Sequence, residues 1–531
     1  MVKVSNGYIR SITASKNSIT FEGFIDMQGK EGEVFFYIFE IQPYESLSNH
    51  INIDPSEVFS FYIGEESPEF NFSIKRYRND RDRIYSKFKI LVKGQHIFFN
   101  TILDGVCYVT NLDGISIYNY EYPTSHTIKG LQVNMVDDAV KLGIGHAALN
   151  LNLPTIMLPY KNDNTIVYIM DGKEFYFNKQ YIEKFDNRVK ELSDHNIVVN
   201  LILLNSVRWD GIDIHPEMEK RLLHPDYSRE GFISAFNVVS AEGLEYYKAF
   251  IEFVVERYTR PDQKYGRACG FIIGNEVNSQ WIWYNSGEKA VESFVKEYSI
   301  ALRTAFYAAR KKYSQARIYI SLDHFWTLRY QEDPLKYYGG KEIIDMFNRY
   351  VSQEGNFDWA VAYHPYPENL FHPDFWNDKT ATYSFNTGRI TFKNIEILPM
   401  YLSQREYMFS ERQRHIILSE QGFHSDESEE GERLQSAAFC LAYKKIETLR
   451  GIDSFILHAH VDNKDEFGLN LGLWTRDKKS IEPNKPERPK PIYYAFKDID
   501  SAKSEEICNK ARNFIGPEIW DSILYSKSNG I

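Results

Sequence analysis

The sequence predicts an α/β fold: a (β/α)8 barrel over residues 121–531, preceded by a β-sandwich over residues 1–120. Three observations carry that prediction. Apolar and polar residues alternate through the first 120 or so positions, with no helix-length period among them. From about residue 125, apolar strands alternate with helical patterns to the C-terminus. Eight such strands can be counted, the number that closes a parallel barrel.

In the N-terminal part, residues 18–25, 34–41, 58–63, 70–76 and 86–92 alternate as half-buried strands do. Turn residues at 26–29, 64–68 and 79–82 separate them, at the spacing of ~8–12 residues that suggests a sandwich. The most basic run, 75–83, is interleaved with acids and aromatics and reads as a solvated strand and turn.

The barrel strands are expected at 130–134, 147–153, 197–204, 269–274, 317–322, 359–363, 415–419 and 454–458. Helical spacing falls between them at 135–142, 178–192, 242–258, 288–312, 341–350 and 432–449. A Pro- and Lys-rich stretch, 484–491, leads into a last short helix at 492–496 and then a tail. A doubly wound open sheet is the competing architecture. It usually carries a Gly-rich turn after its first strand, whereas here that strand runs into Gln132-Val133-Asn134-Met135. Two insertions, 154–177 and 371–411, follow strands two and six and should cover the catalytic face.

Composition excludes several classes. A net charge of −11 argues against nucleic acid and anionic membrane as partners. No run of 18 apolar residues occurs, so no membrane span is expected. Cys107, Cys269, Cys440 and Cys508 are far apart and form no CxxC, which makes a disulfide framework or a cysteine zinc site unexpected. No metal and no cofactor is expected. The N-terminus lacks the charged head and apolar core of a signal peptide, so the protein is read as cytoplasmic, or as secreted with its signal already removed. Aromatics reach 15%, and their planes suit the faces of sugars. The oligomeric state is left open.

Barrels do their chemistry at the C-terminal ends of their strands. Strand four is followed by Asn275-Glu276, strand five by Asp323-His324-Phe325-Trp326, strand six by His364-Pro365-Tyr366, strand seven by Ser419-Glu420, and strand eight gives His458-Ala459-His460. A carboxylate at the end of an apolar strand is costly unless it is paired or used. Glu276 and Glu420 hold such positions on strands four and seven, across the barrel mouth from one another. Glycoside hydrolysis with retention needs two carboxyls ~5–5.5 Å apart, one neutral to protonate and one ionised to attack.

These signatures resemble the clan of (β/α)8 retaining glycosidases whose acid/base follows strand four as Asn-Glu and whose nucleophile follows strand seven as a lone Glu. Asn275-Glu276 matches the first and Glu420, in ILSEQGF, the second. His364-Pro365-Tyr366 is similar to the His-x-Tyr after strand six in the cellulase and mannanase branch. Val277 stands where the clan usually has Pro, His458 and His460 where it often has Trp, and Arg208 is the candidate for an early-strand Arg. With KGLQVN, ALNLNLP and GLNLGLW, the chain looks closer still to a bacterial family of uncharacterised barrels, DUF5722.

The resemblance implies Glu276 as acid and then base, Glu420 as nucleophile, Asn275 on the sugar 2-hydroxyl, and Tyr366 orienting Glu420. His364, His324, Asn205 and His460 are expected around the bound sugar, with Trp326, Trp281 and Trp283 as stacking platforms. A carbohydrate is the expected partner. Two other readings stay open: a non-catalytic glycan-binding barrel, and a metal-dependent hydrolase using His364, His458, His460 and Asp323.

Overall fold

The computed structural model describes residues 6–26, 32–46, 55–63, 69–94, 101–112, 114–207 and 214–525. Its N-terminal part is two sheets packed face to face. One holds Asn6–Ala14, Ser18–Asp26 and Glu69–Lys75 in antiparallel array, with Asp104–Gly105 at its edge. The other runs Glu57–Ile63, Gly32–Ile41, Lys87–Gly94, Thr101–Ile102. Alternate residues of each strand point inward, because the side-chain period of a strand is two. Phe21 meets Phe88 edge-on at 5.2 Å, and Phe36 meets Phe72 at 5.5 Å, so aromatic pairs stitch the two sheets together.

The basic run 75–83 is not simply solvated. Tyr77–Arg78 and Arg81–Asp82 form a tight hairpin through Asn79 and Asp80, both left-handed. It folds Arg76 onto Asp82 in a two-pronged pair (2.9 and 2.6 Å), while Arg83 reaches Glu40 (2.9 Å) and Glu57 (2.7 Å). Both arginines are buried. Their fixed forks match carboxylates, which makes that burial tolerable.

Eight parallel strands then close a barrel: β1 (Lys129–Gln132), β2 (His146–Asn152), β3 (Val198–Leu204), β4 (Ala268–Ile273), β5 (Arg317–Asp323), β6 (Trp359–His364), β7 (Ile416–Leu418) and β8 (Ser454–Leu457). β8 pairs back onto β1. Each lies within two residues of its expected position. The helices that cover the barrel are α1 (Val136–Lys141), α2 (Lys179–Asp194), α3 (Ala241–Tyr258), α4 (Val291–Lys312), α5 (Gly340–Glu354), α6 (Glu429–Glu447) and α7 (Pro491–Asp498). Local chemistry starts them. Asn178 caps α2 by accepting from Tyr181 N, and Ser428 caps α6 by accepting from Gly431 N, with Glu429, Glu430 and Glu432 in that first turn favouring the helix dipole. All four cysteines are free. Among the described residues, no helix is long and apolar enough to cross a membrane.

Two expectations are corrected. The stretch after α7 is not a plain tail: it forms α8 (Ser504–Ile515) and α9 (Pro517–Leu524), which bury Ala511, Trp520 and Ile523. Gly516-Pro517 breaks the pattern into two short amphipathic pieces that are weak signals singly. The first insertion also lies elsewhere than expected. It folds into a small sheet of Met157–Leu158, Thr165–Met170 and Lys173–Asn178. Phe177 stacks on Phe253 of α3 at 3.8 Å, so the insertion packs against a barrel helix and supplies no wall to the cavity at the mouth. Its apolar face needs cover, and α3 provides it.

The sandwich leans on the outside of the barrel. The Tyr85 hydroxyl donates to Glu252 of α3 (2.6 Å), Lys311 of α4 donates to the same carboxylate (2.5 Å), and the Tyr307 hydroxyl donates to the Val109 carbonyl (2.7 Å). Burial works against the Glu252 charge, but Lys311 outweighs it and holds the carboxyl below its ordinary value. Glu252→Leu leaves the Lys311 ammonium with Asp82, 3.6 Å away, as its one remaining carboxylate among the described residues. A loss of about 3 kcal/mol is expected. Urea unfolding followed by tryptophan fluorescence measures it, and an unchanged midpoint would show that the seam does not depend on this pair.

Candidate active site

A cavity of about 810 Å³ opens over the C-terminal ends of the strands. β4 delivers Glu276 to it through a strained turn. Gly274 has a φ of +81°, and a Cβ there would meet the Tyr284 ring at 2.4 Å. Glu276 is itself left-handed (φ 41°, ψ 54°), a conformation that costs a residue with a Cβ about 1–3 kcal/mol. Neighbours hold it there. The Glu276 amide donates to Ser321 Oγ on β5 (3.0 Å), and Asn278 and Ser279 just beyond it donate to Asp323. On the opposite side, Gly422 lets the chain after Glu420 pass the end of β8, where a Cβ would meet the His458 carbonyl at 2.2 Å.

The two glutamates face each other. A carboxylate oxygen of each, with a ring nitrogen of His364, all lie within 4.8 Å of one another. Their surroundings differ. The Glu276 carboxylate touches His364 Nδ1 at 2.9 Å. Glu420 accepts from Gln132 Nε2 (3.0 Å) and from the Tyr366 hydroxyl (3.2 Å). His364 lies beneath, its Nε2 3.1 Å from Ser419 Oγ. His458 stands behind Glu420, with Nδ1 2.8 Å from Gln132 Oε1 and Nε2 3.1 Å from Glu466 Oε1.

Those surroundings push the carboxyls apart. Burial raises Glu276, and the Glu420 charge adds to it, so Glu276 favours its neutral form despite His364. Burial also works to raise Glu420. The positive charges of His364 and His458, with the hydrogen bonds from Gln132 and Tyr366, outweigh it and hold Glu420 below its ordinary value. Burial opposes charge on His458 too, but Glu466, Glu420 and Glu276 lift it to about 9. Asp323, desolvated beside Glu276, rises to about 7. Two titratable groups driven in opposite directions are the pattern of an acid and a base in one site.

Of the residues singled out in the sequence, Glu276, Glu420, Asn275, His324, Tyr366 and Trp283 line the cavity. Trp283 is half-buried and stacks on Phe232 at 5.4 Å. His364 is buried behind the lining and touches the Glu276 carboxylate. Four others stand outside. Asn205 is fully buried and spends its amide on the Leu222 and Ala235 carbonyls (2.8 and 2.9 Å). Trp326 is fully buried, its indole donating to the Phe385 carbonyl (3.0 Å). His460 is fully buried and pairs with Asp138 (3.0 Å), tying the end of β8 to α1. Trp281 lies under Lys336 with its indole on Glu230 (3.2 Å). Arg208 lies outside the described residues.

His458 and Asp323, named in the sequence for the metal-dependent reading, line the cavity as well, and Gln132 and Glu466 join the site beyond the residues singled out. Gln132 ends β1, so the strand-end rule applied to the first strand singles it out. The 463–484 loop after β8 also supplies wall residues, among them Glu466 and Phe467, and the second insertion supplies Phe371.

Glu276, His364 and Glu420 are close enough to share a metal ion. Both His364 nitrogens already sit in hydrogen bonds, so ligation would cost one of them. Dialysis against EDTA is expected to leave turnover unchanged, with metal analysis of the purified protein as the check; restoration by one added metal would point to a metallohydrolase.

A closed parallel barrel with two unequal glutamates across its mouth is the class of protein that fold and site define. Within that class the chain belongs to DUF5722, a family of unknown function, whose model matches residues 121–523. No curated protein sequence matches it. Among solved structures it is similar to a hyperthermophilic beta-glucosidase from Pyrococcus furiosus, at 16% identity and a TM-score of 0.45, covering 71% of this chain and 86% of that one. It is also similar to a family 39 glycoside hydrolase from Bacteroides cellulosilyticus WH2 (14%, 0.42, 88% and 77%). A third is the family 1 glycoside hydrolase of Thermotoga maritima (12%, 0.41, 68% and 84%).

Proposed function

We propose that the protein is a retaining glycoside hydrolase. The observation that carries this reading is the pair of carboxylates, within 4.8 Å and biased toward opposite protonation states. Such a spacing leaves no room for a water between carboxyl and sugar, as inversion requires, and suits direct attack. In the first step an oxygen of Glu420 bonds to the anomeric carbon as the glycosidic bond breaks. The departing oxygen takes the proton of Glu276. In the second step Glu276 takes a proton from water, the water oxygen bonds to the anomeric carbon, and the bond to Glu420 breaks.

The other residues position these two. Tyr366 and Gln132 fix the Glu420 carboxylate, and His364 fixes Glu276. Asn275 and Trp283 line the cavity, and in this reading Asn275 bonds the sugar 2-hydroxyl and Trp283 stacks on a sugar face. The N-terminal sandwich braces the barrel, since none of its described residues lines the cavity.

A panel of aryl glycosides at pH 5–7 finds the cleaved sugar, and proton NMR during the first turnovers reads the anomer released. The anomer matching the substrate is expected first. The opposite anomer would overturn the double displacement. Calorimetric binding of oligosaccharides with no hydrolysis would leave a glycan-binding barrel in its place.

A further inference from the structure

The cavity divides by charge. Its acids among the described residues, Glu276, Asp323, Glu368, Glu420, Asp465 and Glu466, all come from β4 onward. The wall built by β1 to β3 and α2 carries none among the described residues. It carries instead one cation, Arg188, the only Lys or Arg among the described lining residues.

Arg188 projects from α2 and is half-buried. Its Nη2 donates to the Val133 carbonyl just past β1 (2.6 Å), which fixes the guanidinium in place. No carboxylate among the described residues pairs with it, and its other N–H groups are not sealed from solvent. Burial pulls the guanidinium below its ordinary value with no acid to offset it. Other arginines withdrawn from water are paired with carboxylates, as Arg76 is with Asp82 and Arg257 with Asp186, or sealed in the interior on backbone carbonyls, as the buried Arg303 and Arg414 are; Arg188 instead lines the cavity. A fixed, unpaired guanidinium on a cavity wall is poised for an anion from outside, because two parallel N–H groups match an oxyanion. Beside it, Asn134 and Asn150 expose their side chains at the ends of β1 and β2, where they can take neutral hydroxyls.

We propose that the β1–β3 side of the cavity is a subsite for a sugar bearing an oxyanion, a hexuronate carboxylate foremost, held by Arg188. This rests on the glycosidase reading in supposing that the ligand is a glycan.

Calorimetry on the full chain tests it with matched acidic and neutral probes: oligogalacturonate against galacto-oligosaccharide, mannuronate against manno-oligosaccharide, cellouronate against cello-oligosaccharide, and chondroitin sulfate against desulfated chondroitin for the sulfate arm. At least one acidic probe should bind about 10- to 100-fold more tightly than its neutral partner, the worth of one charge-assisted pair. Arg188→Gln should bring that ratio to about one, and Arg188→Lys should keep part of it. Thermal melting of each variant checks that it folds; were R188Q unfolded, R188K alone must lower the ratio. A preference only in the sulfate arm supports the subsite with sulfate as its anion. Equal binding of acidic and neutral partners, or an acidic preference untouched by R188Q, overturns the subsite while leaving the glycosidase reading standing. Binding of no probe overturns both.

Discussion

Glu420→Gly should abolish hydrolysis of the best aryl glycoside, with kcat falling on the order of 10⁴-fold or more, as removal of a nucleophile does. Added azide should then restore turnover and yield a glycosyl azide of inverted configuration. The geometry explains why a small anion fits. Removing the Glu420 side chain leaves the Gln132 amide and the Tyr366 hydroxyl without their acceptor. His458, whose charge Glu466 still supports, remains beside the gap to attract an anion. An azide nitrogen seated there bonds to the anomeric carbon from the vacated face, while the aryloxide leaves from the other. Because that displacement happens once, configuration inverts. Aryl glycosides with good leaving groups are needed, since they depend least on the proton of Glu276. Full activity in Glu420→Gly would remove Glu420 from the role of nucleophile, and loss without azide rescue, in a variant that melts like the wild type, would leave only a positioning role.

The order of the barrel was plain in the sequence because a buried parallel strand is a run of apolar residues, as in Val198–Leu204, with a helical stripe between runs. The strand-end glutamates were legible for the same reason: Glu276 and Glu420 interrupt apolar runs where charge is expensive. Hydrogen-bond partners were harder. Asn205, Trp326 and His460 follow barrel strands as cavity residues do, yet each turns its polar atom to an internal partner that sequence does not reveal. Gln132 is an ordinary glutamine until β7 is known to place Glu420 beside it. The destination of insertion 154–177 was hidden likewise. Phe175 and Phe177 announce an apolar face, but only the fold says that α3 covers it.

Glu276→Ala should produce a different signature from loss of the nucleophile. The acid matters in proportion to how badly the leaving group needs a proton. Natural oligosaccharides should lose about 10²–10⁴-fold in kcat/KM, the usual worth of a positioned acid, while nitrophenyl glycosides lose far less in their first step. Deglycosylation then becomes slow, because no base activates water, and azide should speed it with retention of configuration. The pH profile gives an independent reading. Glu420 must be ionised, and its carboxyl is depressed, so wild-type activity should fall as pH drops through that lowered value. Glu276 must be protonated, and its carboxyl is raised, so activity should also fall as pH climbs through that raised value. The two limbs belong to the pair, since each carboxyl feels the other's charge. Removing Glu276 should erase the alkaline limb. It should also shift the acid limb slightly lower, because a neighbour that becomes negative no longer opposes the Glu420 charge. An alkaline limb that survives Glu276→Ala would assign it to another group, with Asp323, raised to about 7 beside Glu276, as the next carboxyl to replace.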